Sequence, residues 1–347
     1  MSSLTIALAS LGGVVLAGVV AHGAWQARKA GPKRAALQQA PTEQREPVMG
    51  DGPDGARITE PPAPLPERRT AKRIVQRLDA LIDAIATLTV EAPIGGATVL
   101  AHLPTTRRAG GKPFMIEGLN SETGEWETPV AEQRYGEFQA GVQLANRTGA
   151  LNEIEYSEFV QKVQAFADAI GALPDFPDML EAVASARELD AFASEHDAQL
   201  AVHLRARAAA WSVGYIQQHA AHHGFVPGVV PGRLVLPAAD EGAPPVLTLT
   251  FDSQAALADD PNLAAVRDVT LAFDVPQTDP AFEPFGAWRS SAQALALGMD
   301  ANIVDDGAQP LTPPGFASIG SELTRLYGAL AQRDLAAGSP AARRLFS

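Results

Sequence analysis

Three observations predict an α+β chain built of a membrane span, an extended linker and two antiparallel-sheet units in tandem. Residues 4–21 carry no charge, and residues 27–69 are crowded with proline and glycine. Downstream, the order strand-helix-strand-strand-strand-helix-helix can be read twice, and a repeat at that scale bears on the whole fold. Of the 347 residues, 46% are apolar, enough material for more than one core.

The uncharged run continues through His22, Gly23 and Ala24 to Trp25. At 1.5 Å per residue, about 20 residues cross a hydrocarbon core of about 30 Å, so residues 4–25 are expected to form a transmembrane helix. Arg28, Lys29, Lys33 and Arg34 follow directly, whereas only Met1, Ser2 and Ser3 precede the span. By the positive-inside rule, residues 1–3 form a short extracytoplasmic tail and everything after the helix is cytoplasmic. A cleaved signal peptide would carry its positive charges ahead of the apolar run. Here they come after it.

Residues 26–77 hold eight prolines, and eleven Lys/Arg against six Asp/Glu. Few large apolar side chains occur there to offset ordering entropy, so this stretch is expected to be a disordered linker. Forty-odd residues near polyproline II geometry reach roughly 100 Å. The local charge of about +5 also suits contact with anionic lipid.

The next unit, 78–197, reads as strand 82–91, helix 95–103, strands 112–118, 124–128 and 135–146, then helices 154–170 and 178–195. The unit at 198–332 reads as strand 199–206, helix 211–223, strands 232–236, 245–252 and 266–275, then helices 284–299 and 314–330. The matching orders predict two split βαβ, ferredoxin-like domains, each an antiparallel sheet with helices on one face. Alternation supports this in the second unit. Leu247, Leu249 and Phe251 oppose Val246, Thr248 and Thr250, and Val269, Leu271, Phe273 and Val275 repeat the period. Such a pattern buries one sheet face and leaves the other free. Residues 333–347 are expected to form a flexible tail.

Two stretches resemble the ZipA family of bacterial cell-division proteins. One is the apolar span ending in His22-Gly23, Trp25 and Arg28-Lys29. The other is the series Gly224-Phe225, Gly228, Val275-Pro276, Ser291-Ala292-Gln293, Val304-Asp305-Asp306 and Thr312-Pro313. The resemblance covers the anchor, the linker and about 198–328. It does not cover 78–197, whose role it leaves unassigned. It implies a single-pass inner-membrane protein at the division site, with its C-terminal domains in the cytoplasm. The open sheet face of the last domain would hold the C-terminal tail of the tubulin-like protein FtsZ and tether its polymers to the bilayer for septum assembly. Carried onto this chain, the partner-binding residues are Ala201, His203, Arg205, Val235, Thr248, Thr250, Asp252, Thr270 and Ala272, with Arg233 beside them. The match departs from the family where Thr250 and Asp252 replace apolar residues and Ala272 replaces a phenylalanine. Each lost apolar contact removes roughly 1.5–3 kcal/mol if fully buried.

Other chemistry is weakly encoded. The absence of cysteine excludes disulfides, thiolate metal sites and cysteine nucleophiles. The formal charge of −13, concentrated after the linker, argues against nucleic acid as a ligand. His219, His222 and His223 lack a further ligand on their face, so no metal is expected and they read as favourable charges at a helix C-terminus. Asp305-Asp306 reads as turn structure before Thr312, a helix N-cap. Gly95-Gly96 lacks the Lys-Ser/Thr of a phosphate loop, and Trp126 and Trp288 read as core or rim. No nucleophile-base pair or cofactor motif is evident. The chain is therefore expected to be a non-enzymatic adaptor without cofactor or small-molecule substrate. The alternative is a tethered scaffold for a different division or envelope protein.

Overall fold

The computed structural model describes residues 77–240, 242–260 and 263–347. The expected transmembrane helix, its extracytoplasmic tail and nearly all of the linker lie outside the described residues. Among those described, no helix is long and apolar enough to cross a membrane. What is described is mixed α+β, with antiparallel sheets.

The first unit contains β1 (Asp83–Gly95), α1 (Gly96–His102), β2 (Arg108–Ala109), β3 (Lys112–Asn120), β4 (Trp126–Glu127) and β5 (Arg134–Gln143). A small hairpin, β6 (Ala145–Asn146) and β7 (Gly149–Ala150), leads to α2 (Glu153–Ile170), β8 (Leu173–Asp175) and α3 (Met179–His196). The sheet order is β2-β3-β5-β1-β8, with β4 added to β3. Ala84, Ala86, Leu88, Phe114, Ile116, Phe138 and Val142 share its buried face and pack with Phe159, Val163 and Phe166 of α2. The Phe114 and Phe159 rings meet edge-on at 5.7 Å. Asn152 and Glu155 form a reciprocal capping box that starts α2, and Gly171, at φ 69°, ends it. Lys112 is buried, and its ammonium donates to Asn146 Oδ1 (2.7 Å), Thr148 Oγ1 (3.3 Å) and the Gly149 carbonyl. All three of its donors are thus spent on pinning the small hairpin.

The second unit contains β9 (Gln199–Ala206), α4 (Val213–His222), β10 (Val226–Pro227), β11 (Arg233–Leu236), β12 (Leu247–Thr250) and the single turn α5 (Ser253–Ala256). It continues through β13 (Asp268–Asp274), α6 (Pro284–Met299), β14 (Ala301–Val304) and α7 (Pro313–Gln332). Its sheet order is β10-β11-β12-β13-β9-β14. The run β12-β13-β9-β14 pairs in the same order as β3-β5-β1-β8, but the expected counterpart of β12, the strand at 124–128, is only the two-residue β4 on the far side of β3, so the strands do not correspond as the sequence order predicts. Val202, Leu204, Leu247, Leu249, Leu271 and Phe273 face Trp211, Trp288 and Leu295 in the core. Trp211 donates to the Met299 carbonyl at 2.8 Å and Trp288 to the Leu271 carbonyl at 3.0 Å, which satisfies both buried indoles.

Short strands β2, β7, β8, β10 and β14 fall outside the expected ones. Each unit inserts a short edge strand, β8 or β14, between the paired helices, where the sequence predicted only a turn. The closing strand of the first unit also ends earlier than 146, because Leu144 leaves the sheet for the β6–β7 hairpin.

The expected flexible tail is instead ordered. Leu335, Ala341, Ala342, Leu345 and Phe346 are buried in the core of the first unit, and α8 (Pro340–Leu345) carries most of them. The cause is complementarity: apolar side chains fill the first core while Arg344 meets Asp83 at 2.5 and 2.7 Å. Gln143 donates to the Arg344 carbonyl at 2.7 Å. Arg147, of the first unit, reaches Asp274, of the second, at 2.7 Å, and the Gly338 N–H donates to the Pro276 carbonyl at 2.9 Å. Leu326 and Tyr327 of α7 pack against both cores, so the units are held together.

Candidate functional site

The exposed face of the second sheet is built by register. One row crosses the strands as Val235, Thr248, Ala272 and Ala201. The next runs Arg233, Thr250, Thr270 and His203. A third brings Asp268, Arg205 and Asn302 together. These side chains alternate with the buried leucines and valines of the same strands, and each is half-buried or exposed. Eight of the nine residues predicted for binding therefore share one face.

Asp252 is the exception. Beyond the end of β12 it turns away to cap α5, accepting the Gln254 N–H at 2.9 Å. Its predicted place in the strand gives way because a short polar side chain ahead of a helical turn satisfies an orphan N–H there.

The face carries a polar centre that sequence reading missed in part. His203 Nδ1 lies 3.1 Å from Asp268 Oδ1 and 3.2 Å from Thr270 Oγ1, while its Nε2 lies 3.0 Å from Asp306 Oδ1. Arg205 Nε donates to the other Asp268 oxygen at 2.9 Å. Asp268 had a signal, since it sits two residues before Thr270 on the same alternating strand. Asp306 had none, being separated from His203 by 103 residues of sequence. Its neighbour Asp305 has the turn role expected of it, accepting the Gln309 N–H at 2.8 Å.

A threonine beside a histidine flanked by carboxylates invites comparison with a nucleophilic triad. The surroundings differ from such a site. Thr270 shares its ring nitrogen, Nδ1, with Asp268, and the carboxylate on the opposite nitrogen, Asp306, is 86% exposed, whereas the orienting acid of a triad is buried. Backbone N–H groups of central strands lie in the sheet plane and are spent on neighbouring strands, so they do not point up from the face as an oxyanion would need.

The sheet edges are blunted. β10 carries Pro227 and β8 carries Pro174, and proline cannot donate to an added strand. The outer side of β14 is covered by its own chain, through the Val304–Pro310 bridge and the Leu311 N–H donating to Ile303 O at 3.1 Å. What remains accessible in the second sheet is its face. At the β11 end, Val235 opens into a shallow groove with Val229, Val230, Pro237, Ala243 and Pro245. Val229 and Val230 are exposed there.

Of the three histidines, His219 and His222 lie in α4 and His223 is its C-cap. Among the described residues no group of three His, Asp or Glu side chains could hold a metal ion. His219 instead packs on Tyr215, with ring centroids 4.3 Å apart. Trp288 is core, whereas Trp126 is half-buried on the outer face of the first sheet, paired with Leu119.

No protein-family model matches the chain, and no curated protein matches its sequence.

Proposed function

We propose that this chain is a membrane-anchored, non-enzymatic adaptor of cell division, of the ZipA family, with two domains of split βαβ, ferredoxin-like type. In this reading residues 4–25 hold it in the inner membrane and residues 26–77 act as the leash. The open face of the second sheet takes the C-terminal tail of FtsZ. The observation that carries the reading is the sheet itself: one face is buried by α4, α6 and α7, the other is uncovered, and the edges are closed to added strands. A peptide therefore has a flat surface to lie across rather than an edge to extend. Weak individual contacts to a polymer gain through avidity when many anchored copies engage it.

The polar rows of that face favour a second reading, a tethered scaffold for a different division or envelope protein. Ala201, Thr250, Thr270 and Ala272 offer little apolar area. A partner selected by His203, Arg205 and Asp268 would be recognised by charge and hydrogen bonds.

One experiment separates the two. Binding of an FtsZ tail peptide to residues 70–347 is measured alongside the variants Thr250→Lys and Ala272→Asp, with a fluorescent fusion followed in dividing cells. The adaptor reading expects binding that both variants weaken, and a ring at midcell. Equal binding by wild type and both variants removes this face from the site. Absence of the peptide's binding with a different dominant partner recovered from membranes favours the scaffold.

A further inference from the structure

The first sheet also has an outer face, and its character is different. Its rows are Met115, Gly141 and Ile85, then Glu117, Gln139 and Thr87, then Trp126, Leu119, Glu137 and Thr89, with Leu173 of β8 continuing the last. Apart from Gly141 the apolar members are large, and Leu173 is 77% exposed. The charged members of these rows are acidic: Glu137 is half-buried and Glu117 is buried.

Part of this surface is already occupied. Leu78 lies over Gly141, where an added methyl would come within 2.4 Å of Leu78 Cδ2. The Leu78 N–H donates to Glu117 Oε1 at 3.1 Å, and Gln139 holds the other oxygen of that carboxylate at 2.7 Å. The Arg77 guanidinium donates to the Trp126 carbonyl, and the Arg77 carbonyl accepts from Arg344 at 2.9 Å. The entering chain thus meets the sheet on its outer face.

We propose that the outer face of the first sheet is the docking site of the chain's own segment immediately upstream, residues 68–76. Two arguments select this occupant. The first is reach: from Gly141 to Glu137 is four residues along a strand, about 13 Å at 3.3 Å per residue, so four extended residues before Leu78 suffice to cross to the Trp126 row. The second is chemistry: Ile74 and Val75 match the apolar rows, and Arg68, Arg69, Lys72 and Arg73 complement the half-buried Glu137, the carboxylate of these rows that Leu78 and Gln139 leave unoccupied. The docked segment shortens the leash and withdraws its basic residues from anionic lipid. This inference does not depend on which partner the second sheet binds.

The chain has no cysteine, which makes cross-linking clean. In the full chain, Ile74→Cys is paired with Thr89→Cys on this face, or with Thr250→Cys on the second sheet, and treated with a short bis-maleimide. Docking gives an intramolecular link to Thr89→Cys at least about tenfold faster than to Thr250→Cys, reflecting a raised local concentration. Adding Glu137→Lys, or Gly141→Ala to displace Leu78, slows that link severalfold. Equal rates for the two pairs, or no link to either, overturn the proposal. A product of doubled mass assigns the face to a second copy and overturns the own-chain occupant. Rates indifferent to both added variants also overturn it.

Discussion

Replacing Arg344 with alanine tests whether the end of the chain is a structural part of the first unit. The Asp83 side chain is fully buried and that of Arg344 is 8% exposed, so the substitution strands a carboxylate inside the protein. Losing one partner of such a pair costs about 3–5 kcal/mol. With a urea m-value of about 3 kcal/mol/M, the midpoint should fall by roughly 1–1.7 M. The pair itself need not be net stabilising, so Asp83→Leu with Arg344→Met should recover most of the loss. Acidity supplies a second readout. Burial pushes the Asp83 carboxyl above its ordinary 3.8, against the opposing pull of the Arg344 guanidinium. A carboxyl with a raised folded value favours folding below the unfolded value, and that contribution is lost as pH rises through the folded value. Removing Arg344 raises it further, so the deficit of Arg344→Ala relative to wild type should shrink as pH falls from neutrality toward 4. Urea denaturation followed by circular dichroism at several pH values measures both effects. A loss below about 1 kcal/mol, or a double variant no better than the single one, would refute the reasoning.

Three further perturbations have defined outcomes. Gly96→Ala would place its methyl 1.8 Å from the Val130 carbonyl oxygen, so the turn into α1 must shift, at a cost of about 1–3 kcal/mol in thermal or urea denaturation. Asn152→Ala removes the cap of α2 and should cost about 1 kcal/mol by the same measurement, with Asn152→Ser retaining most of it. His203→Ala should change stability by less than about 1 kcal/mol, since Asp268 keeps Arg205 and Asp306 is well solvated. A loss of 2 kcal/mol or more there would mean that the polar centre holds the sheet together rather than facing a partner.

Much of the fold was legible because its signal is local. The alternation of Leu247, Leu249, Val269, Leu271 and Phe273 predicted strands and their buried face. The need for glycine at 96 was not legible, because its cause, the approach of Val130, lies 34 positions away. β8 and β14 escaped notice because three or four residues hold too little of a period-2 pattern, and Pro174 argues against a strand. The docked tail was hidden for a different reason. Nothing local distinguishes Leu335 and Phe346 from a loose end, and their partners are some 200 residues earlier. The candidate face was largely readable from one alternation, except where Asp252 turned into a cap and Asp306 arrived from another loop.

The placement of Leu345 and Phe346 inside the first core has a consequence for biosynthesis. A ribosome delivers residues 78–197 long before it delivers the chain's end, so the first unit leaves the exit tunnel with a gap in its interior. It must wait, partly assembled, through the making of the second unit. The earlier half of the molecule is therefore completed last, and a truncation that removes residues 335–347 would harm the unit that comes first in sequence.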